Sequence, residues 1–142
     1  MGRSYWFECV RCGYRAKVSG GSDRGLNLFV QTAVCRDCKE LFDAVTKLRL
    51  PVEAHGPLSG HGNGLKPLKP LARLRPPKHA PSFQAALNRL TYVGLSRLRW
   101  AQFPLQCPVS PIHRVKAWTE PDKCPRCGLH MEKNPLPYRI WE

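Results

Sequence analysis

Residues 5–48 read YWFECVRCGYRAKVSGGSDRGLNLFVQTAVCRDCKELFDAVTKL, and the reading of this stretch decides the fold of the 142-residue chain. Two Cys-x-x-Cys pairs, Cys9/Cys12 and Cys35/Cys38, stand with 22 residues between them. Two residues between cysteines let one tight turn aim both sulfurs at one ion, and Zn²⁺ takes four thiolates tetrahedrally at about 2.3 Å. Gly13 follows Cys12, where such a turn commonly needs a positive φ that glycine adopts at little cost. Lys39 occupies the matching place after Cys38, a less regular turn. The spacing therefore predicts a closed four-thiolate site from Cys9, Cys12, Cys35 and Cys38.

The arms around the cysteines alternate with period 2. Tyr5 and Phe7 interleave with Trp6 and Glu8, Tyr14, Ala16 and Val18 with Arg15 and Lys17, and Leu28, Val30, Thr32 and Val34 share a face. This is strand patterning. Ser19 to Gly25 is a turn-rich loop, and residues 39–48 read as a return strand rather than a short helix. Strand, knuckle, strand, loop, strand, knuckle, strand resembles the zinc-ribbon superfamily with its rubredoxin-like knuckles. The resemblance covers the whole stretch and implies a structural metal. A rubredoxin-like iron site uses nearly the same spacing, so iron stands behind zinc as the alternative. Disulfides are the other use of paired cysteines. The chain opens on no apolar leader, and paired x₂ spacing outside an oxidising compartment favours metal.

Residues 107–128 read CPVSPIHRVKAWTEPDKCPRCG and carry a second constellation. Cys124-Pro-Arg-Cys127-Gly128 is a knuckle, but Ser110 stands where Cys107 would find its partner. His113 is the first candidate for the fourth ligand, His130 the second, and a three-cysteine site open to solvent the third. The spacing thus predicts a Cys₃His site from Cys107, His113, Cys124 and Cys127. The segment is similar to the heavy-metal-binding domain found beside copper-transport proteins, through Cys107-Pro108-Val109-Ser110-Pro111 and Cys124-Pro125-Arg126-Cys127-Gly128. Ser110 stands where that family has histidine, and Leu129 where it has methionine.

Between the constellations, residues 51–81 are rich in proline and glycine without a sustained period and read as a basic linker. His55, His61 and His79 lie there without ligand spacing. From Ser82, a fair N-cap, the stripe Phe83, Ala86, Leu87, Leu90 and Val93 predicts a short helix that Gly94 ends. Residues 97–103 read as a strand, and the alternating tail from Leu136 to Trp141 as its pairing partner. The expected organisation is a small, metal-stapled, mainly β protein: a ribbon over 1–50, a linker over 51–81, and a helix plus a second ribbon over 82–142. Neither part buries a large core, so metal supplies the missing stability.

The formal charge is +13. Two Zn²⁺ ions on seven thiolates would lower it to about +10, still strongly basic. No Asp or Glu occurs over residues 54–119, where ten Lys or Arg stand. Such a balance favours polyanions through counterion release, so the expected partner is nucleic acid or a complex that carries it. Tyr92, Trp100 and Trp118 stand beside cations and are candidates for stacking on bases. The rival expectations are a protein-interaction adaptor and a metal-handling or redox-sensing protein acting through the second site. No Ser/His/Asp arrangement, no phosphate-cradling glycine loop before a helix and few carboxylates are present, so no enzymatic activity is expected. With no apolar run of about 20 residues, no membrane span is expected, and the default location is cytoplasmic.

Overall fold

The computed structural model describes residues 1–51, 79–90 and 98–141. The strands are β1 (Gly2–Glu8), β2 (Arg15–Val18), β3 (Ser22–Arg24), β4 (Leu28–Cys35) and β5 (Glu40–Pro51). After the single helix α1 (Phe83–Leu90) come β6 (Leu98–Gln102), β7 (Val115–Ala117) and β8 (Glu132–Trp141). The period-2 patterns thus become strands, and residues 40–48 fall in β5, with Lys39 left in the turn before it.

The strands form two sheets. One has the order β2-β1-β8, the other β3-β4-β5-β6, with β7 pairing the far end of β4. All pairs are antiparallel. The strand pairing corrects the expectation of two separate ribbons. The tail strand β8 pairs with β1 at the opposite end of the chain, not with the strand before Cys107. That strand, β6, pairs with β5, and β7 pairs with β4. The physical reason is edge satisfaction. The hairpins β1-β2 and β4-β5 each leave backbone donors and acceptors unpaired, and strands from the C-terminal part supply their partners.

Two apolar clusters lie under these sheets. The first gathers Phe7, Tyr14, Ala16, Val18, Leu41, Trp118 and Met131 around Cys9 and Cys124. The second gathers Leu28, Val30, Val45, Leu48, Phe103 and Trp141 with Ala86 of the helix. Ser82 caps α1 as its sequence suggests: its Oγ accepts the Ala85 N–H at 3.2 Å. Phe83 and Leu87 then pack on the second cluster, Phe83 edge-on to Trp141 at 5.4 Å. Val93, Gly94 and the linker residues 52–78 lie outside the described residues.

The sheets are joined by a polar knot. Thr32, fully buried, accepts the N–H groups of Gly20 and Gly21 on its Oγ1 and donates to Asp43 at 2.7 Å. Asp43 also accepts the Ser19 N–H and hydroxyl. The Tyr14 hydroxyl accepts the Leu41 N–H at 2.8 Å, tying the turn before β2 to β5. Among the described residues, no helix is long and apolar enough to cross a membrane.

Candidate metal centres

Each Cys-x-x-Cys turn follows from local backbone geometry. Cys9 donates its N–H to Tyr14 O, and Gly13 returns its own to Cys9 O, both at 2.8 Å. Cys124, Leu129 and Gly128 repeat the pattern at 2.6 and 3.0 Å. The residue after the second cysteine takes a positive φ in all three knuckles: 70° at Gly13, 79° at Gly128 and 56° at Lys39. Backbone N–H groups then point at the sulfurs, Cys38 N to Cys35 Sγ at 3.3 Å and Arg126 N to Cys124 Sγ at 3.4 Å.

All eight sequence-predicted ligands gather into two sets of four, but the sets differ from those the spacing suggested. Cys9 and Cys12 meet Cys124 and Cys127, while Cys35 and Cys38 meet Cys107 and His113, with the four donor atoms of each set within 4.8 Å of one another. The pairing of Cys9/Cys12 with Cys35/Cys38, and of Cys107/His113 with Cys124/Cys127, is therefore corrected. The arrangement is nested: the outer knuckles of the chain meet each other, and so do the inner ones. Strand register is the cause. Glu8 pairs with Glu132, which brings Cys9 beside the 124–131 knuckle. Cys35 pairs with Val115, which brings it beside His113.

The distances fit a tetrahedral ion. Metal–sulfur bonds of about 2.3 Å imply sulfur–sulfur edges of about 3.8 Å, and a nitrogen at about 2.0–2.1 Å implies sulfur–nitrogen edges of about 3.5 Å. In the first set, Cys9 Sγ lies 3.3 Å from Cys127 Sγ and Cys12 Sγ lies 3.6 Å from Cys124 Sγ. In the second, Cys38 and Cys107 are 3.8 Å apart. His113 Nδ1 stands 3.7, 3.3 and 3.5 Å from the sulfurs of Cys35, Cys38 and Cys107. No pair approaches the 2.03–2.05 Å of a disulfide, and all seven cysteines are free. His113 rather than His130 therefore completes the second set; His130 is exposed and bridges Lys123 in the backbone. Both sets can hold a metal ion.

The thiols within each set differ in acidity. The Cys12 backbone N–H, against the cost of burial, draws the Cys9 thiol down to about 6. Burial opposes ionisation of Cys107, but the Ser110 and Val109 N–H groups and His113 outweigh it and draw this thiol also to about 6. Burial, then the neighbouring Cys35 and Cys107, push Cys38 up to about 12. In each set one thiol is thus drawn down while a neighbouring thiol is pushed up, Cys9 against Cys12 and Cys127, and Cys107 against Cys38.

Second contacts orient His113. Asp37, between the cysteines of its knuckle, accepts the Arg114 N–H at 2.7 Å and its guanidinium at 3.3 Å. The Arg114 N–H, with the guanidinium, holds the Asp37 carboxyl below its ordinary range. Arg36 donates its N–H to Arg114 O at 3.0 Å, so the residue after His113 is gripped from both sides. Sequence reading missed this clamp, and it missed the pairing. The two knuckles that end in Gly13 and Gly128 share one site, and the two irregular segments share the other.

Of the candidate stacking residues, Trp118 is 2% exposed, edge-on to Phe7, and donates its Nε1–H to Lys123 O. It is core. Trp100 is 40% exposed. Tyr92 lies outside the described residues. His79 stands at the surface beside Gln106, apart from both sites. Comparison with protein-family models, with curated proteins and with solved structures finds no match.

Proposed function

We propose that this chain is a non-enzymatic zinc protein with two structural Zn²⁺ ions, and that it binds nucleic acid or a complex that carries it. The donor sets support zinc: S₄ and S₃N cages of tetrahedral size suit a d¹⁰ ion that needs no open position. Four donors in each set also weigh against the metal-handling reading, which relied on an incomplete second site. In this reading Cys9, Cys12, Cys124 and Cys127 hold one ion, and Cys35, Cys38, Cys107 and His113 the other. Zinc binding is then folding free energy, since each ion ties a segment before residue 52 to one after residue 106. A reducing compartment such as the cytoplasm would keep the thiolates available.

The observation that carries the nucleic-acid reading is charge. The chain has a formal +13, and ten cations stand over residues 54–119 without one carboxylate. A polyanion binding so basic a chain releases counterions, so affinity should fall steeply and linearly in log–log form with salt. Titration of the zinc-loaded protein into labelled single- and double-stranded oligonucleotides at several salt concentrations tests this. Absence of binding at low salt sinks it. Capture of one protein partner that survives nuclease treatment would favour the adaptor reading instead.

A further inference from the structure

We infer that the outer face of the β3-β4-β5-β6 sheet is a docking surface for unpaired bases of a single nucleic-acid strand, with Trp100 and Phe29 as its stacking floor. This inference rests on the nucleic-acid reading above and names the part of the molecule that would carry it.

Strand register builds the face. Arg24 pairs with Phe29, Phe29 with Lys47, and Lys47 with Gln102, so these four side chains stand in one row on one side. Arg49 and Trp100 pair two residues further along β5 and β6, so they stand in the next row on the same side, about 7 Å away. The opposite side carries Leu28, Val30, Val45 and Leu48, which fill the second apolar cluster. The sheet is thus apolar inward and aromatic-cationic outward.

The outward side is unusual for a solvated sheet. Phe29 and Trp100 meet edge-on at 5.1 Å. Lys47 Nζ stands 5.3 Å and the Arg24 guanidinium 6.0 Å from the Phe29 ring, and the Arg49 guanidinium 5.1 Å from Trp100. Among the described residues, no carboxylate lies in ion-pair range of Arg24, Lys47 or Arg49. Three arginines elsewhere meet acids, Arg15 with Glu8, Arg114 with Asp37 and Arg126 with Glu40, while Arg3, Arg11, Arg36, Arg99 and Arg139 form no ion pair among the described residues. What sets this face apart is that its unpaired cations stand over the Phe29 and Trp100 rings. The other exposed aromatic group, Trp6 and Tyr138 around Lys17, has Glu8 and Arg15 beside it.

Three uncompensated cations around two rings on a shallow sheet match an unpaired strand. Bases stack on the rings, guanidinium and ammonium groups reach phosphates, and the exposed Ser22 and Gln102 offer hydrogen bonds to base edges. A duplex offers the same phosphates but keeps its base faces stacked inside, so the rings gain nothing from it.

The test uses the full-length, metal-loaded protein and fluorescence anisotropy with labelled dT₁₂, rU₁₂ and a 12-base-pair duplex over a salt series. The expected result is tighter binding of both single strands than of the duplex. Trp100→Ala should weaken single-strand binding by roughly 5- to 150-fold, the loss of one base–aromatic stack, and Trp100→Phe should restore most of it. Lys47→Gln and Arg49→Gln should each reduce the log–log salt slope by about 0.7. Trp6→Ala, on the other sheet, should leave binding unchanged. Should Trp100→Ala unfold the edge strand, Trp100→Phe and the two charge variants still carry the comparison. Single-strand binding that is indifferent to Trp100, Lys47 and Arg49 overturns this face and leaves nucleic-acid binding standing. No binding of any probe at low salt overturns both.

Discussion

Removing two ligands at once distinguishes the nested sites from self-contained ones by whole numbers of ions. In the structure Cys107 and Cys124 serve different sites, while Cys9 and Cys124 serve the same one. A structural zinc site contributes about 10–16 kcal/mol of apparent binding free energy, so one ligand in four accounts for roughly 3 kcal/mol, or over a hundred-fold in affinity. Cys124→Ser should therefore bring the zinc content from two ions to one after passage over a competing chelator. Cys107→Ser should do the same. The double variant Cys107→Ser/Cys124→Ser should hold none, whereas Cys9→Ser/Cys124→Ser should still hold one. Elemental analysis of each purified protein reads the count. Cobalt substitution adds a check, because the ion left in Cys124→Ser should show an S₃N ligand field and the ion left in Cys107→Ser an S₄ field. The same logic makes the stability losses additive for Cys107 with Cys124 and strongly non-additive for Cys9 with Cys124. One ion retained in Cys107→Ser/Cys124→Ser, with none in Cys9→Ser/Cys124→Ser, would refute the nested pairing and restore the ribbons that spacing suggests.

Three further outcomes follow from particular residues. Lys39 holds φ 56° where the other knuckles place glycine; Lys39→Gly should stabilise the loaded protein by about 1 kcal/mol in chemical denaturation, and a loss of stability would contradict the strain assigned to it. Gly20 has φ 89°, and a Cβ there would stand 2.7 Å from Phe7 Cζ; Gly20→Ala should cost about 1–3 kcal/mol, read as a lower melting temperature, and an unchanged melt would show that the Phe7 ring yields freely. Burial holds the Asp43 carboxyl above its ordinary 3.8 against the hydrogen bonds from Thr32 and Ser19. A carboxyl with a raised folded pKa binds its proton more tightly when folded, so its contribution to stability falls as pH rises from the unfolded pKa to the folded one, then stays level. The stability of the native protein minus that of Asp43→Asn should decline with rising pH across that acid window; a difference that rises there would reverse the assignment.

Much of the local structure was legible because its causes are local. Alternation in residues 5–8, 14–18 and 28–34 marks strands, since only extended backbone sends successive side chains to opposite faces. Ser82 and the stripe after it mark a capped helix. His113 was legible as a ligand because it follows Cys107 closely enough to share its loop. The stacking candidates were less legible: Trp100 and Trp118 stand alike among cations in the sequence. The register of β5 with β6 turns Trp100 outward beside Arg49, while packing against Phe7 buries Trp118.

The sequence by itself determined the knuckles and the seven thiol donors, and left the eighth between His113, His130 and none. A Cys-x-x-Cys turn is closed by its own hydrogen bonds and needs nothing from the rest of the chain. A knuckle supplies only two of four donors, however, and to an ion any second pair of thiolates is equivalent. Nothing local selects the partner. The tertiary structure decided it through long-range strand register: β8 on the free edge of β1 delivers Cys124 and Cys127 to Cys9 and Cys12, and β7 against β4 delivers Cys107 and His113 to Cys35 and Cys38.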